Sequence, residues 1–206
     1  MDLSHTLENL LGDNVARILR RLATVNDGLS GRRIAEVADV PVASTSRVLA
    51  DLVDVGLITS SDVGRSRLYR LNRAHVLWDP LERMLATPAQ IEQLIAESVR
   101  TCVGGRATVA IFGSFARGDA GRRSDMDVVI VWDDSVSDDE RFAALDALYD
   151  SVPAATGNRL EVIELKETDL CLMIEAHDPL IESWLRDART VAGLELKTRL
   201  REAVRS

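Results

Sequence analysis

The chain has 206 residues, of which 46% are hydrophobic and 28% charged, and its formal net charge is −8. This length accommodates one large domain or two small ones, and this composition excludes a disordered chain. A membrane protein is excluded because no apolar run reaches the roughly 20 residues that a spanning helix needs. The N-terminus has no signal-peptide pattern, so we expect a cytoplasmic protein. The cysteines and histidines do not have the spacing of zinc ligands, so we expect no bound zinc.

The charge is distributed unevenly along the chain. Residues 1–75 contain ten arginines and nine acidic residues, a balance of +1, whereas the remainder has a balance of −9. Contact with nucleic acid needs local cationic surface, which only the first third could provide. The uneven charge therefore indicates two domains with different partners.

Three short helices and a hairpin are predicted in the N-terminal third. The first helix covers residues 14–23, where apolar residues recur at the spacing of an amphipathic helix. Ser30 is typical of the residue that caps a second helix. A third helix is predicted from Ser44 to Val55 and ends at Gly56, and two short strands then flank a basic hairpin tip.

This order of elements resembles the winged helix-turn-helix of bacterial transcriptional regulators. The resemblance implies that the third helix enters the major groove, with Ser44, Thr45 and Arg47 facing bases or phosphates. It also implies that Arg65 and Arg67 in the wing contact the DNA backbone or minor groove, and that the protein binds DNA as a homodimer. The alternative is a small helical domain used only for dimerisation or partner docking, because a balance of +1 is low for a DNA-binding domain.

A second domain is predicted over residues 79–206, with its core at about residues 90–193 and the boundary near residue 78. Thr87-Pro88 begins a helix in this region. Two apolar runs, residues 107–112 and 128–132, are short and rich in β-branched residues, which predicts buried strands.

The connection between these two strands carries the most informative motif. Gly113-Ser114 is followed by ten residues and then by Asp125-Met126-Asp127. A strand that ends in Gly-Ser and opens a helix offers backbone N–H groups and a hydroxyl to a phosphate. Two aspartates at i and i+2 of a strand point to one face and can hold Mg²⁺, which prefers oxygen ligands. The motif therefore predicts a site for a nucleoside triphosphate and its metal.

Residues 113–119 together with residues 123–127 resemble the signature of the nucleotidyltransferase superfamily that includes DNA polymerase beta, and are most similar to its minimal nucleotidyltransferase branch. The resemblance implies an α+β fold in which a small mixed sheet is flanked by helices. It implies two Mg²⁺ ions, or Mn²⁺, and an NTP substrate, with ATP favoured. The residues that it assigns to the nucleotide are Gly113, Ser114, Arg117 and Ser124, and those that it assigns to metal binding and catalysis are Asp125, Asp127 and a third carboxylate.

Glu161 is the candidate for the third carboxylate. It lies in the apolar segment 160–165, between Leu160 and Val162, so its side chain would face away from both neighbours toward the two aspartates. Glu164 would point to the opposite face of a regular strand. The family more often has Asp at this position, so Glu161 is a departure from the pattern.

Three further helices are predicted in the second domain. Ser137 begins the first with a capping box, and Phe142, Leu145, Leu148 and Tyr149 are expected to be its buried stripe. Asp178-Pro179 is expected to begin the second, and residues 194–205 are predicted to form a final charged helix.

Three functions remain open on the sequence alone. The first is an active nucleotidyltransferase with its own DNA-binding domain, of the antitoxin type that modifies a partner toxin. The second is a transcriptional regulator whose nucleotidyltransferase fold only senses nucleotide. The third is an enzyme that modifies RNA such as tRNA and uses the winged helix to grip it.

Overall fold

A computed structural model of the chain describes residues 6–121 and 124–203. It divides into two compact units, one ending at Thr87 and the other beginning at Pro88. The boundary predicted near residue 78 falls nine residues earlier, at the start of a helix that belongs to the first unit.

The first unit is a small helical domain with a three-stranded antiparallel sheet. Its elements are α1 (Thr6–Leu11), α2 (Asp13–Ala23), β1 (Leu29–Ser30), α3 (Gly31–Ala38), α4 (Val42–Val55), β2 (Ile58–Val63), β3 (Ser66–Leu71) and α5 (Trp78–Leu85). The strand order is β1-β3-β2. Ser30 caps α3 by accepting a hydrogen bond from the Arg33 N–H, and Gly56 ends α4 in the left-handed conformation. The predicted three helices and hairpin are therefore confirmed, while α1 and β1 were not predicted.

The second unit is built around a four-stranded mixed sheet. Its elements are α6 (Thr87–Val103), β4 (Ala107–Phe112), α7 (Gly113–Arg117), β5 (Met126–Trp132), α8 (Asp138–Thr156), β6 (Leu160–Lys166), α9 (Glu167–Glu175), α10 (Pro179–Asp187), β7 (Arg189–Ala192) and α11 (Leu196–Ala203). The strand order is β6-β5-β4-β7; β4 runs antiparallel to β5 and β7, and β5 is parallel to β6. The predicted α+β fold with a small mixed sheet is confirmed. None of the described helices has the length and apolar character needed to cross a membrane.

Side chains alternate across this sheet and enter two separate cores. Val128 and Ile130 of β5 pack in the core that α6 and α8 cover. Val129 and Val131 pack in the other core, which is covered by α9, α10 and α11. Because strand residues alternate, Asp127 belongs to the second of these faces.

The buried stripe of α8 differs from the predicted one. Phe142 is 63% exposed and Tyr149 47% exposed, so their predicted burial is wrong. The residues that pack on the sheet are Ala144, Leu148, Val152 and Thr156, which recur every four residues. Small residues in this stripe let the helix approach the sheet, and the two aromatic side chains then lie on its outer side.

Candidate active site and nucleic-acid interface

The strand register brings the predicted carboxylates to one end of the sheet. Asp127 is paired with Glu161 across the parallel strands β5 and β6, and with Phe112 across β4 and β5. Residues paired in this way project to the same face of a sheet. Asp125, two residues before Asp127, is half-buried in the segment that leads into β5. The three predicted ligands thus lie around the point where β4 ends and β5 and β6 begin.

Gly113 lies directly against this group. Its φ of 70° is left-handed, and a Cβ added here would overlap Oδ2 of Asp127. Only glycine satisfies both constraints, since other residues are strained at positive φ and carry a side chain. The close approach of the backbone at Gly113 therefore fixes where the Asp127 carboxylate can lie.

The Asp127 carboxyl group titrates above its ordinary range. Its partial burial raises the pKa first, the neighbouring charges of Glu161 and Asp125 raise it further, and Arg117 opposes the shift. Among the described residues no three His, Cys, Asp or Glu side chains converge into a ready-made metal site. The carboxylates of Asp125, Asp127 and Glu161 thus affect one another's charge, but they do not converge on one point where a metal ion could bind all three. As a donor set, carboxylate oxygens that repel each other suit a hard divalent cation, which would relieve the repulsion.

Arg117 is held beside this group by two carboxylates. Its Nε donates to Oδ2 of Asp119 at 3.2 Å and its Nη1 donates to Oδ2 of Asp187 at 3.2 Å. Ser114 is half-buried in the first turn of α7. Arg117 is thus fixed in orientation although its side chain is 40% exposed.

Ser124 helps to hold the segment before β5 in place, and its contact with the nucleotide stays a prediction. Its hydroxyl accepts a hydrogen bond from the Gly121 N–H at 2.9 Å, and its carbonyl accepts one from Nδ2 of Asn158 at 2.8 Å. The Met126 N–H donates to the Arg159 carbonyl at 2.8 Å. These bonds hold the segment that carries Asp125 against the start of β6. Arg123, which belongs to the predicted motif, lies outside the described residues.

A cleft opens beside the third carboxylate. It has a volume of about 530 Å³ and is lined by Pro153, Gly157, Asn158, Arg159, Leu160 and Glu161. The Glu161 side chain is exposed. Glu164 points to the other face, as predicted, where it accepts a hydrogen bond from Trp132 Nε1 at 3.0 Å. Glu161 is therefore the glutamate of β6 that shares a face with Asp127.

The residues predicted to contact DNA differ in exposure along α4. Arg47 is exposed and Ser44 is half-buried. Thr45 is only 1% exposed, and its hydroxyl donates to the Val40 carbonyl at 3.4 Å. The predicted contact between Thr45 and DNA is therefore wrong, because the Thr45 side chain packs inward between α4 and the preceding turn.

The wing is the hairpin of β2 and β3, joined by Gly64 and Arg65. Both Arg65 and Arg67 are exposed, as a basic wing requires. Nε of Arg67 donates to Oδ1 of Asp62 at 3.0 Å across the hairpin. The carboxylate of Asp62 thus competes with any phosphate for Arg67.

Sequence reasoning missed two residues that organise the candidate active site. Asp187 is the last residue of α10, far along the chain from the motif, and nothing in the sequence pattern marks it. Asn158 lies in the short connection between α8 and β6, and nothing in the sequence indicates that its amide donates to the Ser124 carbonyl, next to Asp125.

Two family models match the chain, one in each unit. Residues 92–191 match the nucleotidyltransferase domain and residues 13–62 match the IclR helix-turn-helix domain. The prediction of a nucleotidyltransferase domain and of a helix-turn-helix domain is thereby confirmed. No curated protein matches the chain.

Solved structures with partial similarity have low identity. A toxin-antitoxin crystallised with AMP-PNP is 15% identical, with 55% of this chain and 84% of that chain covered and a TM-score of 0.39. A mutant of the toxin-antitoxin MntA-HpeT is 13% identical over the same shares, with a TM-score of 0.40. TrmBL2, an archaeal chromatin protein, is 16% identical over 89% of this chain and 73% of that chain, with a TM-score of 0.28.

Proposed function

We propose that this chain, a nucleotidyltransferase with an N-terminal helix-turn-helix domain, transfers a nucleoside monophosphate from an NTP to a hydroxyl acceptor and couples this activity to DNA binding. The observation that carries the proposal is the position of Asp127. It lies beside Glu161 in register, two residues after Asp125, and directly against Gly113, at the start of the predicted phosphate-binding turn. Carboxylates grouped beside the first backbone N–H groups of α7 suit a metal-bound triphosphate.

Asp125, Asp127 and Glu161 would hold divalent cations, with Mg²⁺ favoured, Mn²⁺ as a substitute and two ions expected. Nucleotidyltransferases generally use such ions, which when bound neutralise negative charge on the reacting phosphates. Burial first, and the negative charges of Glu161 and Asp125 second, raise the pKa of Asp127, and a cation held at these carboxylates would offset both effects.

The remaining groups of the chain bind and orient the nucleotide. Gly113 and Ser114 contact the β- and γ-phosphates through backbone N–H groups and the Ser114 hydroxyl, and Arg117 adds positive charge on the same side. The acceptor hydroxyl enters from the cleft beside Glu161, opposite to the leaving pyrophosphate. Positioning and electrostatic stabilisation carry most of such a reaction. ATP is the favoured donor.

The acceptor we favour is a partner protein of the toxin type rather than tRNA. The chain after residue 75 has a balance of −9, which repels a phosphate backbone. Exposed Phe142 and Tyr149 on α8 offer apolar contact of the kind that protein interfaces use. The protein would then act as an antitoxin-type regulator.

The helix-turn-helix domain would bind an operator through Arg47 of α4, with Ser44 beside it, and through Arg65 and Arg67 of the wing. We propose a homodimer on a two-fold site, since helix-turn-helix dimers read two half-sites one helical turn apart. Operator DNA and NTP both occur in the cytoplasm, so we expect the protein to act there. If the domain instead serves only for docking, no promoter fragment will bind to it at low salt.

A second candidate is a regulator that senses nucleotide without transferring it. The exposed Glu161 at the position of the usual Asp favours this candidate, because its side chain is longer than that of Asp and would be less closely held at a metal. The two candidates share nucleotide binding and differ in product formation.

Two measurements separate these functions. Calorimetry with ATP in Mg²⁺, in Mn²⁺ and in EDTA tests metal-dependent binding, and tight binding that survives EDTA would contradict the metal role. Transfer of label from α-labelled ATP to protein or RNA tests the reaction. The Asp125→Asn/Asp127→Asn double variant should keep its fold and lose transfer, since the charges removed lie at the end of the sheet. Nucleotide binding without transfer by the wild type would favour the sensor.

A further inference from the structure

A buried carboxylate outside the sequence motif joins α7 to α10. The side chain of Asp187 is only 6% exposed. It accepts a hydrogen bond from Arg117 Nη1 at 3.2 Å, and two more from Arg186, whose Nε and Nη2 donate at 2.9 and 3.0 Å. The two arginines hold the pKa of Asp187 below its ordinary range, so the carboxylate is charged. Asp187 is therefore a fixed anchor for two guanidinium groups.

Each guanidinium keeps donors that this anchor does not use. Arg117 contacts Asp187 through Nη1 and Asp119 through Nε, and Arg186 contacts Asp187 through Nε and Nη2. Nη2 of Arg117 and Nη1 of Arg186 take no part in these bonds. A guanidinium whose orientation is already fixed loses little entropy when it binds an anion with its other N–H groups.

The cluster lies beside the predicted triphosphate site. Arg117 ends α7, the helix that Gly113 begins, and Gly113 lies directly against the Asp127 carboxylate. Arg186 is close enough to Arg117 for the two positive charges to repel each other. Two cations held together against their repulsion at the edge of a phosphate site suit a polyanion.

We propose that Asp187 is a positioning residue that fixes Arg117 and Arg186 as a two-arginine site for the terminal phosphates of the NTP. Arg186 is then a further nucleotide-binding residue. This inference rests on the proposed function, because it assumes that the triphosphate lies along α7. A purely structural bridge between α7 and α10 is the alternative, and it would affect stability without distinguishing one nucleotide from another.

The test is the binding of ATP, ADP and AMP to the full-length protein with Mg²⁺, measured by calorimetry. Arg186→Ala should weaken ATP binding about tenfold, the loss of one charge-assisted hydrogen bond, and should leave AMP binding nearly unchanged. Asp187→Asn should show the same selective loss, because its amide accepts fewer hydrogen bonds and its NH₂ faces a guanidinium. Asp187→Glu should restore part of the ATP affinity.

Arg100→Ala is the matched control. Arg100 also forms an ion pair with a carboxylate, Glu97, but on α6, which packs on the opposite face of the sheet. Its loss should not change the affinity for any of the three nucleotides. Thermal melting of every variant identifies those that fail to fold, and Arg186→Ala keeps the test valid if Asp187→Asn does not fold, since Arg186 is 67% exposed.

The outcomes separate this inference from the proposed function. If the wild type binds none of the three nucleotides, the proposed function fails and the inference fails with it. If the wild type binds ATP and the ratio of ATP to AMP affinity is the same in Arg186→Ala and Asp187→Asn as in wild type, Asp187 is a structural bridge only. A selective loss of ATP affinity in both variants supports the two-arginine site.

Discussion

At the scale of single residues, the site depends on a backbone position and a carboxylate that constrain each other. Position 113 requires glycine for two reasons: its φ is positive, and the Asp127 carboxylate fills the space that a Cβ atom would need. Asp127 in turn lies in surroundings that disfavour its charge. Residues in such surroundings are typical of functional sites, because their unfavourable energy is offset when substrate or metal binds.

Gly113→Ala should therefore abolish metal-dependent nucleotide binding. It should also lower the free energy of unfolding by more than the backbone strain alone would. The strain of a non-glycine residue at positive φ costs roughly 1–2 kcal/mol, and the overlap with Asp127 adds to it. Gly104→Ala is the control, since Gly104 has φ of 62° with nothing near its Cβ position. Chemical denaturation should show the larger loss for Gly113→Ala, and equal losses in the two variants would contradict the steric argument.

Asp127→Asn should raise stability at neutral pH while removing function. The folded-state pKa of Asp127 lies above its ordinary value of 3.8, so the folded state binds the proton more tightly than the unfolded state. The free energy of unfolding of the wild type therefore falls as pH rises from that value through the raised pKa. Asn carries no charge, so the variant should melt above the wild type at pH 7, with a smaller gap near pH 4. Asp146→Asn on the exposed side of α8 is the comparison, and a gap that does not grow with pH would contradict the sign.

At the scale of elements, the sequence predicts helices and strands that are long enough to show a repeating apolar pattern. It does not predict elements that are short or contacts that depend on tertiary packing. The strands on either side of the motif and the helix of α4 have enough residues for their periodicity to be read. β7 has only four residues and α1 six, too few to show a pattern. Whether Phe142 is buried depends on which side of α8 packs on the sheet. Hydrophobicity alone predicts that the aromatic side chains face the sheet, but small residues such as Ala144 occupy that side.

The same distinction holds for the candidate site. Gly113 and Asp127 follow from a local motif, and the strand pairing of Glu161 follows from its place in an apolar segment. Asp187 reaches Arg117 from a helix 70 residues away along the chain. Such a contact exists only once α10 has packed on the sheet, and no spacing rule could predict it.

The wing offers an element-scale prediction, because Asp62 lies opposite Arg67 in the hairpin. Asp62→Asn should strengthen DNA binding and make the dependence of log Kd on log salt steeper, since Arg67 then becomes free to contact phosphate. Arg65→Ala should weaken binding and reduce that slope by about 1. Fluorescence anisotropy over a salt series checks both, with exposed Arg21 of α2 changed to Ala as the control. If Asp62→Asn and Arg65→Ala shift the slope in the same direction, the wing does not contact DNA.

At the scale of the whole molecule, the chain consists of two compact units that divide at Thr87 and Pro88. The N-terminal unit includes α5, because Trp78 is 3% exposed, the Arg73 guanidinium lies 5.2 Å from the centre of its ring, and Arg73 also pairs with Glu82. A fragment of residues 1–87 should therefore melt at a higher temperature than one of residues 1–78, which lacks most of α5. Equal melting temperatures would mean that α5 adds nothing to this unit.

Because the carboxylates proposed for catalysis and the arginines proposed for DNA binding belong to different units, their functions should separate. The Asp125→Asn/Asp127→Asn double variant should bind promoter DNA with wild-type affinity, since neither aspartate belongs to the helix-turn-helix unit and both lie in the other fold. Conversely, Arg47→Ala should lose sequence preference, because Arg47 is the exposed arginine of α4, and should transfer nucleotide at the wild-type rate. Gel shifts with specific and scrambled fragments, paired with the labelled-ATP assay, measure both properties on the same preparations. If ATP with Mg²⁺ changes the affinity of the wild type for DNA and the double variant loses that response, the two sites are coupled, and by reciprocity DNA must change the affinity for ATP by the same factor.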